Sequence, residues 1–92
     1  MKGIFKTYIK KPIPVQAVLL GISNLPVIVR ILKKASIPYE YDLSKGILKI
    51  KTLEGWAEGK LGEHYLVKGV KNEFYFVRKD IFEETYEEIK LK

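Results

Sequence analysis

His64 is the chain's only histidine, set in Glu63-His64-Tyr65 where a strand starts after a turn. A histidine dyad or a two-histidine metal site cannot form within one chain. The catalytic reading is a lone general base. The plainer reading is a half-exposed strand residue, because one imidazole meets none of the mutual-geometry requirements of a site. Asp42 and Asp80 are the only aspartates, and the second reads as a helix cap. Glu83, Glu84, Glu87 and Glu88 make an acidic run, but without the alternating oxygen ligands and central glycine of a calcium loop. It reads as a solvated face. Ser23, Ser36 and Ser44 have no base near them in sequence, and none lies in a G-x-S-x-G elbow. Gly55, Gly59 and Gly62 are spaced as turns and precede a strand, whereas a phosphate cradle needs a following helix. Cysteine is absent, which removes disulfides and thiolate metal sites. The expectation is a non-enzyme, with no catalytic residue, metal site or cofactor.

Aromatic and basic residues together carry the remaining signal. Tyr65, Phe74, Tyr75 and Phe76 fall on one hairpin with Lys68, Lys71, Arg78 and Lys79. Aromatic faces beside cations can stack bases and hold phosphates. Lys10, Lys11, Lys68, Lys71 and Arg78 are the candidate phosphate-holding residues. Tyr65, Tyr75 and Trp56 are the candidate stacking residues. Along residues 73–78 both strand faces are apolar, so the strand is central or turns one face to a ligand or another subunit. Aromatic strand residues are also the usual stuff of a core. Trp56, in a turn region between Gly55 and Ala57, is expected half-exposed, marking either an interface or the core's edge.

The elements that must position these residues follow from the pattern. Residues 4–9 and 13–20 read as extended pieces interrupted by Pro12 and Pro14, which suits an edge strand or one entered at Val15. Residues 16–20 are almost wholly apolar, as in a strand buried on both faces. Ser23 or Asn24 reads as an N-cap and Pro26 falls in the first turn. Leu25, Ile28, Ile31, Leu32 and Ala35 repeat at helical spacing, and Pro38 ends that helix. Strands follow over 39–42 and 47–52 around the turn 43–46, then over 65–68 and 73–78 around Gly69-Val70-Lys71-Asn72. Asp80-Ile81-Phe82-Glu83 has capping-box spacing and predicts one helical turn, followed by a last strand over 85–89. The expected fold is α+β: a curved, mostly antiparallel sheet of five or six strands with one packed helix, a partly open barrel being its alternative closure. Residues 1–92 make one domain.

With 92 residues, 47% of them hydrophobic, the chain can build one core and is not disordered by composition. A domain this small gains apolar burial by pairing, so a homodimer is expected. Residues 1–51 hold ten Lys/Arg against two acids, a net +8, and residues 52–92 hold seven against nine, a net −2, for +6 in all. The basic half can attract a phosphate-bearing partner, or it can serve solubility alone. No stretch reads as a signal peptide or a spanning helix, and the lack of cysteine suits a reducing, cytoplasmic setting with no membrane partner. The Lys, Glu and Ile bias is of the kind found in thermophile proteins.

Four segments carry a resemblance: Tyr8-Ile9-Lys10-Lys11-Pro12-Ile13, Thr52-Leu53-Glu54-Gly55, Gly62 through Tyr75, and Asp80 through Glu87. They resemble a widespread group of short phage-encoded proteins of uncharacterised function. Those open on Tyr-x-Lys-Lys-Pro, carry a Thr-Leu-Glu-Gly turn and a Lys-Gly-Val-Lys-Gly-Glu-Phe-Tyr hairpin, and close on Asp-Ile-Phe-Glu-x-Thr-Tyr-Glu. Here Asn72 replaces a glycine of the hairpin, and Phe76-Val77-Arg78-Lys79 replaces a Pro-Cys-Lys-Pro stretch. The resemblance implies a viral accessory protein acting in the host cytoplasm, with host defence as its target by analogy, and implies no activity.

Three functions are compatible with these residues. The first is a non-catalytic binder of an anionic nucleotide-type small molecule, sequestering a cyclic nucleotide signal of host defence. The second is a protein–protein inhibitor of a host factor, working through the acidic 80–88 segment or Trp56. The third is a nucleic-acid binder using the basic half. A nucleotide hydrolase built on His64 alone ranks below all three.

Overall fold

The computed structural model describes residues 3–89. The elements run β1 (Gln16–Leu19), α1 (Leu25–Lys34), β2 (Tyr39–Asp42), β3 (Ile47–Thr52), β4 (Gly55–Lys60), β5 (His64–Lys68), β6 (Phe74–Arg78) and α2 (Lys79–Thr85). The α+β class holds. The single curved sheet does not: six strands form two separate antiparallel sheets, ordered β1-β5-β6 and β2-β3-β4, and no barrel closes. Side chains join the sheets where ladder hydrogen bonds do not. Leu48 and Ile50 of β3 pack in one core with Leu66 and Phe74 of the other sheet, and Leu25, Ile28 and Leu32 of α1 complete it.

Alternation along the strands decides what each face does. In the β1-β5-β6 sheet, Val18, Leu66 and Phe76 share a register line and face the core. Leu19, Tyr65 and Val77 share the next line and face the other way, as do Ala17, Val67 and Tyr75. The doubly apolar β6 is thus an edge strand whose apolar residues are buried or half-buried on both faces. Gly59 makes the close approach between sheets possible: a Cβ there would come within 2.7 Å of the Phe76 ring and 2.9 Å of Leu20.

Helix α1 begins and ends by means other than those its sequence announces. Pro26 does occupy the first turn, but Asn24 does not cap with its side chain. Its Oδ1 accepts from the Gly21 N–H at 2.9 Å and its Nδ2 donates to the Leu19 carbonyl at 2.9 Å, tying β1 to the helix. At the other end the Ile37 N–H donates to Leu32 O and the Ser36 N–H to Lys33 O, with Ser36 at φ 59°. That is a Schellman closure with serine where glycine is usual, and it stops the helix at Lys34, four residues before Pro38.

Other expectations fail for identifiable reasons. Residues 4–9 form no strand, because no neighbouring strand pairs with them. β1 is a sheet edge with Gln16 and Ala17 exposed, so it is not buried on both faces. β4 was hidden by Gly55 and Gly59, which read as turns. The segment after Arg78 is a seven-residue helix. Asp80 lies inside it, with Arg78 at the N-cap and no side-chain cap, and no strand follows at 85–89.

Candidate functional site

Helix α2 has no buried residue, so what docks it is a stack of rings. Phe82 and Tyr86 stand four residues apart, one helical turn, which brings both side chains to one side. The Tyr65 ring stacks on Phe82 at 4.2 Å between centroids, and Phe82 stacks on Tyr86 at 4.6 Å. Lys10 closes the column: its Nζ lies 3.7 Å from the Tyr86 ring centroid and donates to the Tyr86 hydroxyl. The Tyr65 hydroxyl donates to Glu83 at 2.9 Å, which raises the phenol's pKa. Burial, and then the neighbouring Tyr86, raise the Tyr75 phenol as well.

Between this column and the base of the N-terminal arm lies an open cleft of about 960 Å³. Ile13, Val15 and Ala17 line one wall, Phe82, Tyr86 and Ile89 the other. Lys10 and Lys11 sit at the arm side, and Glu83, Glu87 and Glu88 at the helix side. The cleft is apolar along its walls and carries both signs of charge.

Of the eight candidate ligand residues, Lys10, Lys11 and Tyr65 meet at this cleft. Tyr75 lies beside it, through Tyr86. The other four lie elsewhere. Lys68 stands in register with Gln16 and Phe74, on the opposite face of β5 from Tyr65. Lys71 sits in the β5–β6 turn, where its N–H donates to Glu73 at 2.9 Å. Arg78 is held by Asp80 at 2.6 Å, and this pairing depresses the Asp80 carboxyl's pKa. Trp56 is 51% exposed on the outer side of the second sheet, opposite Lys51. The two sheets thus separate Trp56 from Tyr65.

Phe82 and Tyr86 were not singled out as site residues from sequence, and Glu83, Glu87 and Glu88 entered only as part of the acidic 80–88 segment. The helical spacing of Phe82 and Tyr86 was the available signal, and reading the segment as one turn and a strand concealed it. His64 is half-buried, and its Nδ1 accepts from the Lys60 N–H at 3.0 Å, so one ring nitrogen serves a turn. Among the described residues no three His, Asp or Glu side chains group to hold a metal ion, and no helix is long and apolar enough to cross a membrane.

Before the cleft runs the arm itself. Ile4, Phe5, Tyr8 and Ile9 are between 65% and 92% exposed. Residues 6–10 make no backbone hydrogen bond with other described residues. No family model, curated protein or solved structure matches the chain.

Proposed function

We propose that this protein is a non-catalytic binding module that works by engaging another polypeptide through its N-terminal arm and the cleft at the arm's base. The observation that carries this reading is the arm's four large apolar side chains, nearly all in solvent. Surface leucines or isoleucines taken singly need no explanation, but a contiguous apolar strip marks a contact surface. The backbone over residues 6–10 is unpaired, which suits strand-like pairing with protein more than a lipid surface, where free N–H and C=O groups are costly. Taken with the resemblance to phage accessory proteins, a host factor is one such partner. Native mass spectrometry of protein purified gently from a host-like lysate tests the reading. A retained polypeptide that is lost in a Phe5→Glu/Ile9→Glu variant supports it; a bare monomer in both samples overturns it.

A second reading keeps the anionic nucleotide-type ligand, and the gathering of Lys10 and Lys11 with Tyr65 at the cleft favours it. Against it, Phe82 already covers a face of Tyr65, and three glutamates share the cleft. The same spectra discriminate: a retained mass in the nucleotide range, removed by Lys10→Ala/Lys11→Ala, would favour this reading over the first.

A further inference from the structure

We infer that the arm's partner is a second copy of this chain, with residues 4–9 of each protomer lying in the cleft of the other. The inference rests on reading the arm as a polypeptide-binding element, and it adds the partner and the docking site. The arm does not fold back into its own cleft. Lys10 is already anchored at Tyr86, and the residues before it point into solvent. A second copy supplies what one copy lacks: an apolar strip for the cleft, and a cleft for the strip.

Charge supports the match. The arm brings Lys6, and the cleft presents Glu87 and Glu88, which make no ion pair among the described residues. Symmetry supports it too. One wall of the cleft is residues 10–17, the direct continuation of the arm, so two arms crossing about a two-fold axis each run beside the other and the contact closes on itself. Size is adequate. Two aromatic and two isoleucine side chains at these exposures offer on the order of 600 Å² per copy. Both copies together then reach about the 1,200 Å² at which stable interfaces begin.

The chain's lack of cysteine gives a clean test. Tyr8→Cys and Glu87→Cys proteins are prepared separately, mixed and oxidised. The expected result is a disulfide-linked pair joining one of each, together with a sedimentation mass of twice 10.7 kDa for the unmodified chain. Phe5→Glu/Ile9→Glu is expected to sediment as a monomer that still melts cooperatively, at a midpoint independent of protein concentration, since neither residue is in the core. An unmodified chain that stays monomeric at all concentrations overturns the inference, and so does a dimer that survives the charged arm or fails to cross-link 8 to 87. A monomer that still retains a foreign polypeptide through its arm would overturn only the second copy as partner. A bare monomer would remove the arm reading as well.

Discussion

Gly59 has room for a hydrogen and nothing larger, since a methyl group there would enter the Phe76 ring. Both neighbours belong to the packed core region, so neither can swing away freely. Gly59→Ala is therefore expected to destabilise by about 1–3 kcal/mol, read from the urea midpoint at unchanged slope. Asn24 is a different case, because its side chain satisfies one backbone donor and one acceptor at once. Asn24→Asp keeps the first bond and loses the second, leaving the Leu19 carbonyl facing a carboxylate. Asn24→Ala loses both. A serine-type cap would have tolerated Asp, so a loss of about 1 kcal/mol in the Asp variant separates this tie from ordinary capping. Tyr65 is one of two tyrosines whose raised pKa ties stability to alkaline pH. The Glu83 bond raises its pKa, so the folded chain holds the phenol proton more tightly than the unfolded chain does. Its contribution is fully present below about pH 10 and is lost as pH rises through the raised folded value. Tyr65→Phe should flatten that decline in urea titrations, and an unchanged slope would contradict the assignment.

The elements differ in how far local residues determine them. α1 was legible because Leu25, Ile28 and Leu32 sit at helical spacing and are the residues that become buried. β2 and β3 were legible because their alternation and the Asp42–Gly46 turn agree. The Ser44 N–H and hydroxyl both donate to Asp42 Oδ1, which holds that carboxyl below the usual range. β4 was not legible, since its two glycines weaken any strand signal and one of them exists to admit Phe76. α2 was legible only as one helical turn over Asp80–Glu83, because its full extent and its place depend on Tyr65, a partner distant in sequence. The same contrast yields two expectations. Phe82→Ala should cost about 2 kcal/mol or less and release α2 selectively, so amide exchange accelerates over 79–86 while β3 and β5 stay protected. Uniform acceleration would mean the ring column supports the whole fold. Ser36→Gly removes a left-handed strain of about 1–2 kcal/mol and returns part of it as chain entropy. A net gain of about 0.5–1 kcal/mol in thermal or urea stability is expected, and a loss would show that the serine hydroxyl matters there.

The radius of gyration is 15.1 Å, against about 12 Å for a compact chain of this length. The excess fits an arm that leaves the body, and the apolar area it withholds from the core is area that one copy cannot bury alone. The body itself is small, with nine buried hydrophobic side chains among the described residues, and eight of them form one cluster shared by both sheets and α1. Two sheets without a common ladder could in principle melt apart. The shared cluster argues otherwise, because separating the sheets would expose Leu48, Ile50, Leu66 and Phe74 together. Trp56 fluorescence reports on the β2-β3-β4 sheet, and the ring proton resonances of Tyr65 and Phe82 report on the other. Measured at one protein concentration, so that any association is held constant, the two signals should share a midpoint. Leu48→Ala should lower both by the same amount, about 2–5 kcal/mol, because the cavity opens in the cluster that both sheets share. Separate midpoints, or a Leu48→Ala shift seen only by Trp56, would show that the sheets are held together by the covalent chain and not by their common core.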